Sequence, residues 1–243
     1  MGTHKAAHLP RFPELDLMRG IGILLVVIYH IFFDLAYFGL GNWLNNPVVW
    51  AIGRLAAVIL IGIAGVSLSI AIRKWRGREG EFGHHAKRIL FLLGVALLIT
   101  IATWVYPHDG FIFFGIMHFL AFASIVGFLI GRSQMAVGVL LVLSLPVWFM
   151  LQTQYSNDFV LAVLGEKNGI YTLDLYTIFP WIGLFCAGML IGEKIYGKKE
   201  RKIRFKFAIT NPILQWMGQN SLAIYLLHQP ILIGLLMLLG IRA

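Results

Sequence analysis

Seven long apolar segments divide this sequence, and they restrict its fold more than any other feature. They lie at 16–38, 48–72, 88–106, 111–131, 135–151, 174–196 and 213–240. A helix needs about 20 mostly apolar residues to cross a bilayer, so each segment is a predicted span, the fifth being the shortest. The chain is only 13% charged, whereas a soluble domain carries about 25% charged residues. The sequence therefore predicts an all-α, polytopic transmembrane helix bundle of about seven spanning helices, in one domain over residues 1–243.

The 20 lysines and arginines are distributed unevenly between the two ends of these spans. Seventeen of them lie before or at the start of the first span, or in the second, fourth and sixth connections. Arg54, Lys167 and Arg242 remain for the other side. Because cytoplasmic connections are enriched in Lys and Arg, we expect residues 1–14 to be a cytoplasmic tail and the polar loop 152–173 to lie outside. The net charge of +9 follows from this bias, and nucleic acid is not an expected partner.

Small residues recur on two of the spans. The second span contains Ala56, Ala57, Gly62, Ala64, Gly65, Ser67 and Ser69, and the sixth contains Gly183, Gly188 and Gly192. Small side chains allow transmembrane helices to approach each other closely. We therefore expect tight helix packing at these positions.

The first span carries a polar stripe. Asp16, Arg19, His30 and Asp34 fall within roughly 60° of one another when the span is drawn as a helix. A charged side chain in contact with lipid is costly, so the stripe should face protein or water. It is the predicted working surface of the chain.

Other polar residues are predicted to lie at the same depth, in the outer half of the bilayer. Successive spans cross the bilayer in opposite directions, and each residue of a helix advances about 1.5 Å. On this count Arg54, His118 and His228 lie at the depth of His30 and Asp34. Each also has a structural alternative. His30 and Asp34 could form a local hydrogen-bonded pair, and His118 could bond a backbone carbonyl. His228 could satisfy carbonyls freed by a proline kink, and Arg54 could extend its side chain to the membrane interface.

Five stretches resemble a known family. They are LDLMRGIGILLVVIYHIFFDLAYFG, RLAAVILIGIAGVSL, FIFFGIMHFLAF, FPWIGLFCAGMLIG and NSLAIYLLHQP. Together they are similar to bacterial and archaeal membrane proteins related to the catalytic part of heparan-alpha-glucosaminide N-acetyltransferase. The ten residues between Arg19 and His30 also resemble the Arg-x10-His spacing of the broader transmembrane acyltransferases.

The resemblance implies acyl transfer from a cytoplasmic acyl-CoA, with acetyl-CoA as co-substrate and no metal, to a hydroxyl or amine at the outer face. The catalytic positions it implies are His30, Asp34, Arg54, His118 and His228. The animal enzyme has an asparagine where His30 stands, a histidine in a segment that this chain lacks, and more helices. Amino-sugar specificity is therefore not carried over.

The roles of these residues follow from their chemistry. A histidine can act as base or acyl carrier, with Asp34 orienting the ring and Arg54 or His118 stabilising the oxyanion. The predicted contacts for the CoA phosphates are Arg19, Arg73, Lys74 and Arg88. The expected partners are the lipid bilayer of the cell membrane, the acyl-CoA donor, a glycan or other small acceptor, and a second copy in a homodimer.

Two other function classes fit the same polar stripe. A transporter or proton-coupled channel would use it as a relay and would move substrate without acyl-CoA turnover. A b-type cytochrome or metal site would use the histidines as ligands, which a haem spectrum would reveal.

Overall fold

The computed structural model describes residues 12–197 and 211–241, and most of them are helical. The helices are α1 (Pro13–Tyr37), α2 (Pro47–Trp75), α3 (Glu81–Val105), α4 (Ile116–Ile130), α5 (Gln134–Leu151), α6 (Phe159–Leu164), α7 (Ile178–Tyr196), α8 (Pro212–Gln219) and α9 (Ser221–Leu238). Six of these helices are long and apolar enough to cross a membrane, and α4 is a shorter apolar helix of 15 residues. The predicted polytopic helical bundle is confirmed, and the chain is a multi-pass membrane protein.

The bounds of α1 follow from its sequence. Pro13 occupies the first turn, where its missing N–H is not needed. Glu14 and Asp16 place negative charge at the positive end of the helix dipole. Beyond the helix, Gly39 adopts a φ of 76°, a left-handed conformation that glycine reaches without strain.

The predicted span at 213–240 is wrong as a single helix, because it is divided into α8 and α9. The break lies at Asn220, whose φ of −107° and ψ of 16° are not helical. The Asn220 side-chain amide donates to the Trp216 carbonyl over 2.8 Å. Asparagine side chains compete in this way for backbone carbonyls, and they favour helix ends.

The fourth predicted span also begins too early, because α4 starts at Ile116 and not at 111. The residues before it hydrogen-bond to the segment before α7. The Leu173 N–H donates to the Gly110 carbonyl over 2.7 Å. The Tyr176 N–H donates to the Phe114 carbonyl over 3.0 Å. These bonds between chain segments replace the first helical turn that hydropathy alone predicts, and α7 likewise begins later than predicted.

The predicted loop at 152–173 has structure of its own. It contains α6 and two short parallel strands, β1 (Tyr155–Ser156) and β2 (Lys167–Asn168). Asp158 caps α6, since its carboxylate accepts a hydrogen bond from the Leu161 N–H over 3.0 Å.

The chain divides into two compact units. The first comprises residues 1–60 and 205–243 and contains α1, the beginning of α2, α8 and α9. The second comprises residues 61–204 and contains the remaining helices. The single domain expected from the sequence stays a prediction.

Glycines bring α2 and α7 into close contact in the second unit. A Cβ on Gly65 would collide with the Phe185 carbonyl, and one on Gly188 would collide with the Gly62 carbonyl. This confirms the close packing that the small residues of these two spans predict.

Candidate active site

The polar stripe of α1 faces protein in the first unit. Asp16 and Asp34 are only 7% and 2% exposed. Between them, Ile23 and Val26 form a buried cluster with Ala56, against which Met217, Ile224 and Tyr225 pack. The predicted orientation of the stripe is therefore confirmed for both carboxylates, and the elements that cover it are α8 and α9.

The lower part of the stripe lies against α8. A Cβ on Gly20 would overlap the Leu214 carbonyl, and one on Gly218 would overlap the Asp16 carbonyl. The two helix backbones therefore touch. In the same turn of α1, Arg19 Nη1 lies 3.1 Å from Asp16 Oδ1 in an ion pair. The Arg19 guanidinium is thus paired with the Asp16 carboxylate, and a contact between Arg19 and CoA stays a prediction.

The upper part of the stripe brings two histidines together. The rings of His30 and His228 have centroids 4.7 Å apart and planes at 74°. His30 Nδ1 lies 2.9 Å from the Val26 carbonyl. His228 Nδ1 lies 2.6 Å from the Tyr225 carbonyl. A carbonyl oxygen can only accept, so each neutral ring holds its proton on Nδ1 and has a lone pair on Nε2.

Asp34 lies one turn beyond His30 and pairs with α9. The Gln229 side-chain amide donates to Asp34 Oδ1 over 3.1 Å. The His30 ring bonds the Val26 carbonyl and not Asp34 in this structure, and the role of Asp34 in orienting the ring stays a prediction. We refer to His30, Asp34, His228 and Gln229 as the polar cluster.

The polar cluster has an excess of hydrogen-bond acceptors. Asp34 Oδ2, Gln229 Oε1 and His228 Nε2 are buried and have no hydrogen-bond partner among residues 12–197 and 211–241. Leaving a buried acceptor without a donor costs about 1–3 kcal/mol. The cluster is thus suited to a molecule that brings several N–H or O–H groups.

Arg54 belongs to the first unit and lies on α2. Its guanidinium is 5.5 Å from the centre of the Trp50 ring, in a cation–π contact, and the residue is exposed. Next to it, a Cβ on Gly53 would contact the ring of Tyr29, which itself packs edge-on against His30. The role of Arg54 at an oxyanion stays a prediction.

His118 belongs to the second unit, and both of its ring nitrogens are occupied. Its Nδ1 accepts a hydrogen bond from the Gly115 N–H over 3.3 Å. Its Nε2 lies 3.1 Å from Thr100 Oγ1, whose hydroxyl donates to the Ile112 carbonyl over 2.7 Å. The ring thus fixes the start of α4, and its predicted catalytic role is untested.

The predicted donor-binding cations on α2 and α3 also lie in the second unit. Arg73 is exposed, whereas Lys74 and Arg88 are half-buried. Nearby, the rings of Trp75 and His84 stack with centroids 4.3 Å apart. The assignment of these cations to CoA phosphates stays a prediction.

The sequence prediction missed Gln229 as a member of the polar cluster. Its partner Asp34 is 195 positions away in the chain, so no local pattern joins the two. The available signal was a second polar residue directly after His228 in an otherwise apolar segment. Within the described ranges, no group of three or more His, Cys, Asp and Glu side chains could hold a metal ion.

Comparison with known proteins identifies the family. The family model described as "Heparan-alpha-glucosaminide N-acetyltransferase, catalytic" matches residues 11–230. No curated protein and no solved structure matches the chain. The match includes α1 and the first half of α9, so all four residues of the polar cluster lie inside it. The chain therefore belongs to the membrane N-acetyltransferase family of heparan-alpha-glucosaminide N-acetyltransferase catalytic domains.

Proposed function

We propose that the protein transfers an acetyl group from acetyl-CoA to an amine or hydroxyl acceptor, with His30 as the base or acyl carrier. The observation that carries this proposal is the His30–His228 pair. Both rings have Nδ1 bonded to a backbone carbonyl and Nε2 available as a base. A base of this kind accelerates transfer by about 10²–10⁴-fold.

The direct reaction balances with these groups. The acceptor nitrogen or oxygen attacks the thioester carbonyl carbon, and His30 Nε2 takes the proton that the acceptor loses. When the tetrahedral intermediate collapses, the carbon–sulfur bond breaks and the imidazolium returns the proton to the CoA thiolate. His228 lies ring to ring with His30, with the two centroids 4.7 Å apart, and limits the space around the reacting ring. In the covalent variant, His30 Nε2 itself attacks the thioester.

The remaining members of the polar cluster bind the acceptor. Asp34 Oδ2, Gln229 Oε1 and His228 Nε2 are three buried acceptor atoms. An amine or a sugar with neighbouring hydroxyls supplies donors to them. The Gln229 amide also keeps Asp34 in place, which makes Gln229 a positioning residue for the carboxylate.

A direct assay tests this proposal. Purified protein is incubated with acetyl-CoA and a panel of sugars and amino sugars, and free thiol and product mass are followed. Thiol release that depends on the acceptor, with a product heavier by one acetyl group, supports the acyltransferase. Movement of a labelled sugar into vesicles without any thiol release would favour the transporter.

The proposed orientation places the N-terminus in the cytoplasm and residues 152–173 outside, in the cell membrane. Cys186 is the only cysteine and is buried, so a Cys186→Ala background allows single cysteines to be introduced. In intact cells, an impermeant maleimide should label Tyr171→Cys, a position that is 67% exposed. Lys202→Cys lies outside the described residues and should react only after lysis. The opposite labelling pattern would reverse the topology.

A further inference from the structure

A second candidate site lies in the second unit, where the beginning of α3 meets the end of α4. These two ends border an open cavity of about 570 Å³. The residues that line it include Arg78, Glu81, Phe82, Phe128, Leu129 and Arg132. None of them belongs to the polar cluster.

One part of the cavity wall is cationic. Arg132 Nη2 lies 2.7 Å from Glu81 Oε1. The other oxygen of that carboxylate, Oε2, accepts the Gly77 N–H over 2.9 Å. Both oxygens of Glu81 are thus occupied, and the side chain of Arg78 has no ion pair or hydrogen bond within the part of the chain that the structure describes. The segment 73–88 holds six Lys and Arg against two Glu, so an anion is attracted to this end.

Another part of the wall is apolar and uncovered. Phe82 and Leu129 are 74% and 73% exposed. The rings of Phe82 and Phe128 lie 6.4 Å apart. Both helices belong to a membrane protein, so an exposed phenylalanine and leucine at their ends are available to contact acyl chains. Next to two guanidinium groups, this combination matches a lipid with a negative headgroup better than it matches a soluble anion.

We propose that this cavity binds an anionic phospholipid. Its phosphate contacts Arg78 and Arg132, and one acyl chain lies along Phe82 and Leu129. This site is independent of the proposed acetyl transfer. By the charge bias of the connections, it lies in the cytoplasmic leaflet, where anionic lipids attract basic segments.

Native mass spectrometry of the full chain tests the proposal. The protein is reconstituted with equal amounts of phosphatidylglycerol and phosphatidylcholine, and the lipids that remain bound after mild delipidation are counted. Phosphatidylglycerol should be retained in preference to phosphatidylcholine. Arg78→Ala should lower this retention about fivefold, the effect of one cation near the surface. Arg76→Ala removes another exposed charge of the same segment that does not line the cavity, and it should change little.

Two further variants separate the headgroup from the chain. Glu81→Gln removes the carboxylate that occupies Arg132 and should increase phosphatidylglycerol retention. Phe82→Ala should weaken the binding of phosphatidylglycerol but leave the binding of glycerol phosphate, which has no acyl chain, unchanged.

Three results would overturn the proposal. The first is equal retention of both lipids, or equal retention by wild type and Arg78→Ala. The second is displacement of phosphatidylglycerol by inorganic phosphate alone, which would make the cavity a simple phosphate site. The third is displacement by CoA together with loss of CoA binding in Arg78→Ala, which would assign the cavity to the acyl donor.

Discussion

His30 and His118 each lie in an apolar helix, yet their surroundings differ. In the second unit, His118 Nδ1 accepts the Gly115 N–H and Nε2 contacts Thr100, so the whole ring is used in holding the start of α4. In the first unit, His30 uses only Nδ1, and its neighbour is another histidine, His228, which also uses only Nδ1.

This difference separates a histidine with both ring nitrogens hydrogen-bonded from one that keeps a ring nitrogen without such a bond. Both residues look alike in the sequence, because hydropathy registers a polar interruption and not its partners. The number of ring nitrogens left after local hydrogen bonding is the property that distinguishes them. The predictions below test that distinction, beginning with the largest expected effect.

Replacing His30 should have the largest effect. His30→Ala removes the proposed base, and single-turnover acetyl transfer should fall by about 10²–10⁴-fold. The melting temperature should fall through the lost ring contacts with Tyr29 and His228, but the protein should remain folded, because the ring makes only one hydrogen bond, to its own helix. If folded His30→Ala still transferred acetyl groups, His30 would not be the base, and the proposed difference between His30 and His118 would be wrong.

Asp34→Asn should be the next largest change. It keeps the shape and the hydrogen bond to Gln229 but removes the charge that faces the acceptor. The loss of one charge-assisted contact, about 1.5–3 kcal/mol, corresponds to a rise of about tenfold to a hundredfold in the acceptor KM. The KM for acetyl-CoA serves as the internal control. An equal change in both KM values would contradict an acceptor-binding role.

Gly218→Ala tests whether the packing of α8 supports the polar cluster. The added Cβ meets the Asp16 carbonyl, and overpacking of this kind costs about 1–3 kcal/mol. Thermal unfolding should show the lower stability, and transfer per folded molecule should also fall because α9 follows α8. Gly234→Ala is the matched control, since nothing lies within 4 Å of its Cβ position. Equal melting temperatures for the two variants would contradict the close contact.

His118→Ala should have the smallest effect on transfer and a clear effect on stability. It removes hydrogen bonds to Gly115 and Thr100, each contributing about 0.5–1.5 kcal/mol. We expect a lower melting temperature with transfer per folded molecule retained. Lost transfer at unchanged stability would instead support the catalytic role that the sequence predicts for His118.

The spans could be predicted from the length of their apolar runs, and the polar stripe from helical periodicity, because both are local properties of the sequence. Asp16 and Asp34 lie on one face of α1 for geometrical reasons that any helix shares. The hydrogen bonding of both ring nitrogens of His118 could not be predicted, since its partner Thr100 lies on another helix. The same is true of Gln229, which meets Asp34 only after the last helix has formed.

The break at Asn220 shows a different limit of sequence reasoning. The single span predicted at 213–240 continues across the polar residues Gln219, Asn220 and Ser221. At this point the Asn220 side-chain amide bonds the Trp216 carbonyl in the last turn of α8, an interaction that mean hydropathy does not describe. The boundary between α8 and α9 therefore coincides with polar residues that the predicted span passes over.

The first unit is built from the two ends of the chain, and this has a consequence for biosynthesis. More than 170 residues separate the end of α1 at Tyr37 from the start of α8 at Pro212. At about 5–20 residues per second, the ribosome needs roughly 10 s or more to make them. Throughout that interval α1 has neither α8 nor α9 to pack against, and Asp34 lacks the hydrogen bond from Gln229. The polar stripe of α1 is therefore covered by protein only after the last helix has been made.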